Sequence, residues 1–357
     1  MTTTSHTGAL RVAAIGCVLA VLAGACSAAA TSTQRPPDTI RPTATPETIQ
    51  VPGDSTPPVT AAPQPGASAT LSTSASPSPT PQSLSGAAGH ALRFFGTGSG
   101  DVDRVKIRVD DPGNDLPGSP ADVGATDFTI EWWMRADAVE NPAPAVECGP
   151  GNVNWIYGNI VFDRDRYNQD RKFGISLAGG RLVFGVSGDG TGDATLCNRR
   201  NLADGEWHHV AVQRRRSDGR MWIFVDGLLE SETDGPDGDI SYPDGGQPLD
   251  FCGGPCVNSD PFLVIGAEKH DAGPAYPSFS GWIDEVRLST ALRYSGDFAR
   301  PGAPFEPDAD TAALYHFDEG SGGVASDSAS GASPGEVKIG GPQQGPQWVI
   351  SDAPLND

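Results

Sequence analysis

The feature that most narrows what this chain can become is a set of short alternating runs separated by glycine-rich turns. Residues 172–177 and 181–186 alternate apolar with small or polar residues, and Ala178-Gly179-Gly180 lies between them. Period-two alternation turns one side of a strand toward a core, and a glycine turn between two such runs is a hairpin signal. The pattern recurs at 91–95, 104–109, 128–135, 159–163, 209–215, 221–225, 263–267, 280–288 and 313–317. Eleven strands exceed what one sheet holds comfortably, so the expected architecture is all-β, two antiparallel sheets stacked into a sandwich. The helical period is nearly absent; 289–294 offers at most one turn.

Not all of the chain can join that core. From Ser27 to Ser85 there is no Phe, Trp or Tyr, and Pro, Ser, Thr and Ala dominate. Such a stretch has too little apolar surface to offset the entropy of ordering it. Residues 26–86 therefore read as a linker, and 87–357, which carries all seven Trp, thirteen Phe and six Tyr, reads as one domain. At about 3 Å per residue in an extended proline-rich conformation the tract would reach at most roughly 180 Å.

Residues 1–25 read as an export signal. Arg11 precedes an unbroken run of apolar or small residues from Val12 to Ala25, long enough for a signal h-region and too short for a permanent span. The run ends Leu22-Ala23-Gly24-Ala25-Cys26, which resembles a bacterial lipoprotein processing site in which Cys26 takes the lipid. Simple cleavage beside an unmodified Cys26 is the alternative. The expected location is outside the cytoplasm, at the cell envelope, held by lipid alone or secreted.

Cys17 lies in the h-region, which leaves four cysteines in the domain. An even number in an exported domain suggests disulfides, and three pairings are possible. Cys252 and Cys256 sit close together in Cys-Gly-Gly-Pro-Cys; pairing them leaves Cys148 with Cys197, each in a glycine- and asparagine-rich loop. A zinc site would need two short Cys spacings, and only one exists.

Three segments resemble the laminin G-like branch of the concanavalin A-like jelly rolls. Phe128-Thr129-Ile130-Glu131-Trp132-Trp133 is similar to an early strand of that family. Glu206-Trp207-His208-His209-Val210-Ala211-Val212 followed by Met221-Trp222-Ile223-Phe224-Val225-Asp226-Gly227 resembles its "W-H-H-V-A … Y-V-D-G" hairpin. Phe279-Ser280-Gly281-Trp282-Ile283-Asp284-Glu285-Val286-Arg287-Leu288 is similar to its late "I-D-E-V-R" strand. Ala313-Leu314-Tyr315-His316-Phe317-Asp318-Glu319-Gly320 resembles an element the family commonly places before its first strand, here found after the last. Chain ends that lie together would allow an edge strand to come from either terminus.

The resemblance implies a jelly roll, and in the wider superfamily a structural calcium. Matching positions are Asp284 with the Gly96 carbonyl, Asp101 and Asp103, hard oxygen ligands in a glycine loop. The alternative makes Asp101 and Asp103 turn residues and Asp284 the partner of an arginine. For ligand binding, aromatic rings stacked on sugar faces are the family's usual device, and Trp155, Tyr157 and Tyr276 are the candidates. Packing of Trp155 against the sandwich is the competing reading.

Several chemistries find no support. Glycoside hydrolysis on this fold needs paired carboxylates facing one side of a strand. Glu232 and Asp234 come nearest, but Gly235, Pro236 and Gly238 follow, as in a turn. His208 and His209 are adjacent in a strand and point to opposite faces, so they cannot chelate one ion together. Gly96-Thr97-Gly98-Ser99-Gly100 lacks the Lys and the following helix that a phosphate loop requires. The net charge of −21 disfavours nucleic acid, and the one dense basic cluster, Arg214-Arg215-Arg216, reads as a solvated strand end. The chain is thus expected to be no enzyme but a binding or adhesion module, recognising glycan or a cell-surface protein. A structural jelly roll without a sugar site and a degenerate glycan hydrolase are the alternatives.

Overall fold

The computed structural model describes residues 89–111, 113–245 and 260–355, all within one compact unit, Thr80–Asp357. The leader, Cys26, the 26–86 tract and the Cys252–Cys256 pair lie outside the described residues.

The described residues form two antiparallel sheets. The first runs β11 (Leu228–Thr233), β10 (Met221–Val225), β9 (Asp204–Arg214), β3 (Phe128–Asp137), β13 (Ser280–Ser289), β1 (His90–Phe95) and β17 (Gln347–Ile350), with β14 (Thr311–Tyr315) also paired to β13. The second runs β15 (Val324–Ala325), β16 (Gly335–Lys338), β2 (Arg104–Arg108), β12 (Phe262–Ile265), β5 (Asn159–Arg164), β6 (Lys172–Ala178), β7 (Arg181–Ser187), β8 (Asp193–Cys197) and β4 (Gly149–Pro150). All eleven expected strands are present. The expected turn at 289–294 is not helical; there the N–H groups of Arg293 and Tyr294 donate to the side-chain oxygen of Gln213 at 2.7 and 2.8 Å, which holds the segment along the outer face of the first sheet.

Alternation places the core. On β3, Phe128, Ile130, Trp132 and Met134 face inward, and Phe173, Ile175 and Leu177 of β6 answer them from the other sheet. The layers interdigitate: Phe128 meets Phe173 at 5.5 Å between ring centres, and Trp132 meets Phe162 edge-on at 4.8 Å. Burying each such ring contributes about 2–3 kcal/mol, and these contacts fix the spacing of the sheets. The chain end closes the fold, because β17 pairs β1 and β16 pairs β2.

Two local expectations are corrected. Arg214 is buried, not solvated: its guanidinium donates to the carbonyls of Pro236 and Gly238. Burial, only partly offset by Asp237 and Asp239, pulls it down to about 10. Glu232 stands on β11 rather than in a turn, where it accepts from the Trp222 indole at 2.9 Å and pairs with Arg220 at 3.0 Å. Asp234 pairs with the same arginine at 2.9 Å, so one guanidinium ties up both carboxylates. His208 and His209 divide as expected: His209 is fully buried against Glu131 at 3.2 Å, and His208 reaches Asp226 at 2.8 Å.

Candidate functional site

The four residues expected to hold calcium do not form one site. In the antiparallel register Ser280 faces Phe95 and Ile283 faces Leu92, which sets Asp284 beside the start of β1 while Gly96, Asp101 and Asp103 follow its end. Five residues of strand at about 3.4 Å each separate them by roughly 17 Å. The acids are also engaged. Asp103 accepts the N–H groups of Phe95 and Thr97, each at 2.9 Å, and the Thr97 hydroxyl at 3.0 Å, clamping the β1–β2 connection. Asp101 lies 3.3 Å from Lys106 and 3.6 Å from Lys338. Asp284, rather than meeting an arginine, accepts from the Ser351 hydroxyl at 2.5 Å in a recess shared with Glu285 and Asp318. Burial, reinforced by those two acids, pushes its carboxyl up to about 7.

Trp155 is likewise corrected as a ligand platform. It belongs to a 3₁₀ turn, Asn154–Tyr157, laid on the outer face of the second sheet, and it is completely buried. The reason is glycine at two outward positions: a Cβ on Gly174 of β6 or Gly185 of β7 would stand 2.0 Å from the indole. The ring fills the trough that these residues leave, among Ile160, Ala178 and Val183. Its carbonyl accepts the Ser176 hydroxyl at 2.6 Å. A disulfide joins Cys148 to Cys197, with Cα atoms 6.0 Å apart, and clips the preceding loop to β8.

Fixing Trp155 inward presents Tyr157 at the rim. The Ile160 N–H donates to the Pro277 carbonyl at 2.8 Å and the Asn159 amide to the Ser278 carbonyl at 2.9 Å, so the 273–278 segment runs beside the start of β5. Gly273 and Tyr276 close a tight turn by mutual backbone bonds of 3.1 Å. Tyr157 and Tyr276 thereby meet with their rings 6.2 Å apart and 19° from parallel. Tyr157 is 50% exposed. The pair walls a recess of about 200 Å³ whose polar lining includes Asp165, Lys172, Glu268 and Asp271.

Behind this wall is a buried ionic cluster that sequence spacing did not reveal. Ligand-type atoms of Asp165, Glu268 and His270 converge within 4.8 Å, an arrangement open in principle to a metal. The cluster already holds its own cations. His270 Nδ1 lies 3.4 Å from both Asp165 and Glu268, and Nε2 lies 2.8 Å from Asp260. Lys172 sits 2.9 Å from Asp165, and Lys269 pairs with Asp260. Burial opposes charge on the ring, but Asp165, Asp260 and Glu268 outweigh it and push His270 up to about 11. Burial would raise the Asp165 carboxyl, yet His270 and Lys172 hold it well below the usual range. A carboxylate held ionised in this way is no proton donor for glycoside cleavage.

A larger groove of about 620 Å³ crosses β2, β12 and β16 on the outer face of the second sheet. Its aromatic ring, Phe262, is already covered by Lys106 at 4.7 Å and Arg108 at 4.9 Å, so the ring face is taken.

Among solved structures the chain is similar to a candidate carbohydrate binding protein from Bacteroides ovatus ATCC 8483, at 17% identity over 75% of this chain, with a TM-score of 0.47. It spans 61% of that protein's length. It is also similar to the CBM40 of the Ruminococcus gnavus IT-sialidase, at 14% identity over 57% of this chain and 92% of the other, TM-score 0.35. A third is the SAP-like pentraxin of Limulus polyphemus, at 13% identity over 58% of this chain and 78% of the other, TM-score 0.36. No curated protein matches the sequence. The model of one family matches residues 110–294, more than half of the chain. Together with the stacked antiparallel sheets, that match makes this chain a member of the concanavalin A-like lectin/glucanases superfamily.

Proposed function

We propose that this chain is a non-catalytic binding module that recognises glycan at the rim recess walled by Tyr157 and Tyr276. The observation that carries the reading is the pairing of two accessible aromatic rings beside the exposed Asp271 carboxylate in one recess. Ring faces pack on the apolar faces of sugars while polar groups fix the hydroxyls. The two carboxylates that meet behind the recess, Asp165 and Glu268, are buried and committed to His270, which favours binding over turnover. In this reading the module works outside the cytoplasm, carried on a lipid at Cys26 with 26–86 as its tether. The Cys148–Cys197 disulfide supports an oxidising compartment.

A glycan array probed with the full chain and with Tyr157→Ala tests the proposal. Binding to a defined set of glycans, lost in the variant while Trp282→Ala retains it, is the expected result. A silent array from protein with an intact cooperative unfolding transition contradicts it and leaves a protein-interaction domain as the reading.

A further inference from the structure

The recess has a charge that bears on which glycan it takes. Three carboxylates and Lys172 line it, but Asp165 and Glu268 are buried and share the cation of His270 at 3.4 Å, which leaves Asp271 as the carboxylate exposed at the mouth. Lys172 is committed to Asp165 at 2.9 Å. Glu268 turns toward His270 at 3.4 Å and accepts the backbone N–H groups of His270 and Asp271. Asp271 is exposed at the mouth. Its carboxyl is raised by burial and then by Glu268 and Asp165, with His270 offsetting only part. The Tyr276 hydroxyl is pushed up by burial and then by Tyr157, Asp271 and Glu268. Burial is the larger cause of both shifts; the negative group that the recess itself presents is the exposed Asp271 carboxylate, on a chain whose net charge is −21.

A negative field beside accessible aromatic faces selects cations, because a ring's quadrupole attracts an ammonium over its face and a nearby carboxylate adds to that attraction. A uronate or other acidic sugar would instead meet the like charge of the exposed Asp271 carboxylate. We infer that the recess recognises a protonated amine on its ligand, such as that of an unacetylated amino sugar, through Tyr157, Tyr276 and the Asp271 carboxylate; this rests on reading the recess as a glycan site.

The test is calorimetric titration of the full chain with a glucosamine tetrasaccharide, the same tetrasaccharide N-acetylated, and tetramethylammonium chloride, at low and high ionic strength. The amine form is expected to bind at least about tenfold more tightly than the acetylated form at low salt. Asp271→Asn and high salt should each remove most of that preference, and Tyr157→Ala should weaken binding at least about tenfold. Equal binding of both tetrasaccharides, lost in Tyr157→Ala, overturns the inference and leaves the glycan reading intact. Amine binding unaffected by either variant also overturns it, since the contact then lies elsewhere. Binding of tetramethylammonium alone, lost in Asp271→Asn, upholds cation recognition while removing the sugar. No binding of any probe overturns the inference.

Discussion

The indole of Trp155 lies so close over Gly185 that its Cδ1 would stand 2.0 Å from a Cβ at that position. Both Gly185→Ala and Gly174→Ala are therefore expected to lose about 1–3 kcal/mol of stability, the cost of overpacking a filled site. Trp155→Ala should lose about 3–5 kcal/mol by leaving a cavity. Denaturant midpoints at constant slope check both. Unchanged midpoints would mean that the ring is not seated in the trough.

Reduction of the Cys148–Cys197 bond should destabilise the domain by up to about 4 kcal/mol, the loop-closure entropy of a 49-residue separation. Because the bond clips the loop that precedes the 3₁₀ turn, ligand affinity should fall with it. Thermal unfolding of Cys148→Ser/Cys197→Ser with and without ligand reads both effects. A variant with unchanged stability and affinity would contradict this role.

Asp284 gives a pH signature. Burial first, then Glu285 and Asp318, lift its carboxyl to about 7, above an unfolded value of about 4. A group raised in the folded state contributes stability that is fully present below the unfolded value and is lost as pH rises through the folded one. The Asp284 contribution to stability should thus decline between about pH 4 and 7, so that Asp284→Asn gains on the parent across that range and exceeds it by on the order of 2 kcal/mol at pH 8. Denaturation midpoints across this range decide it. A variant that parallels the parent throughout would show that Asp284 does not carry the effect.

His270 should stay an imidazolium across the physiological range, since its partners push it up to about 11. Its contribution to stability is present below the unfolded value of about 6.5 and is lost only as pH rises through the folded one. Nitrogen shifts of the ring at pH 8 are expected to show both nitrogens protonated. A neutral tautomer at that pH would contradict the charge assigned to the ring.

What could be read from the residues follows from the range of the interaction that fixes each feature. The eleven expected strands rest on local alternation, and the hairpin at Gly179-Gly180 on turn chemistry, so both were legible. Strands β8, β11, β16 and β17 are short or mixed in character, and they owe their existence to partners far along the chain. The expected calcium set joined Asp284 to residues of the loop after β1 without the strand register, which sets them at opposite ends of β1. Trp155 stood open between a ring for ligand and a ring packed on the sandwich, and Gly174 and Gly185, cross-strand partners beneath it, decide for packing. Those two glycines, in the outward positions of alternating strands, were the available signal. The Asp165–Glu268–His270 cluster joins loops about a hundred residues apart, and no spacing rule reports such a meeting. Tyr157 and Tyr276 were legible as a pair of aromatic loop residues, and the fold brings them together.

The central claim is that the rim recess is where ligand sits. A crystal structure of the full chain with its strongest array ligand tests this most directly. The account predicts a sugar ring in van der Waals contact with Tyr157 and Tyr276, with a polar group within hydrogen-bonding distance of Asp271. Sugar density over Phe262 in the larger groove, with the two tyrosines untouched, would contradict it.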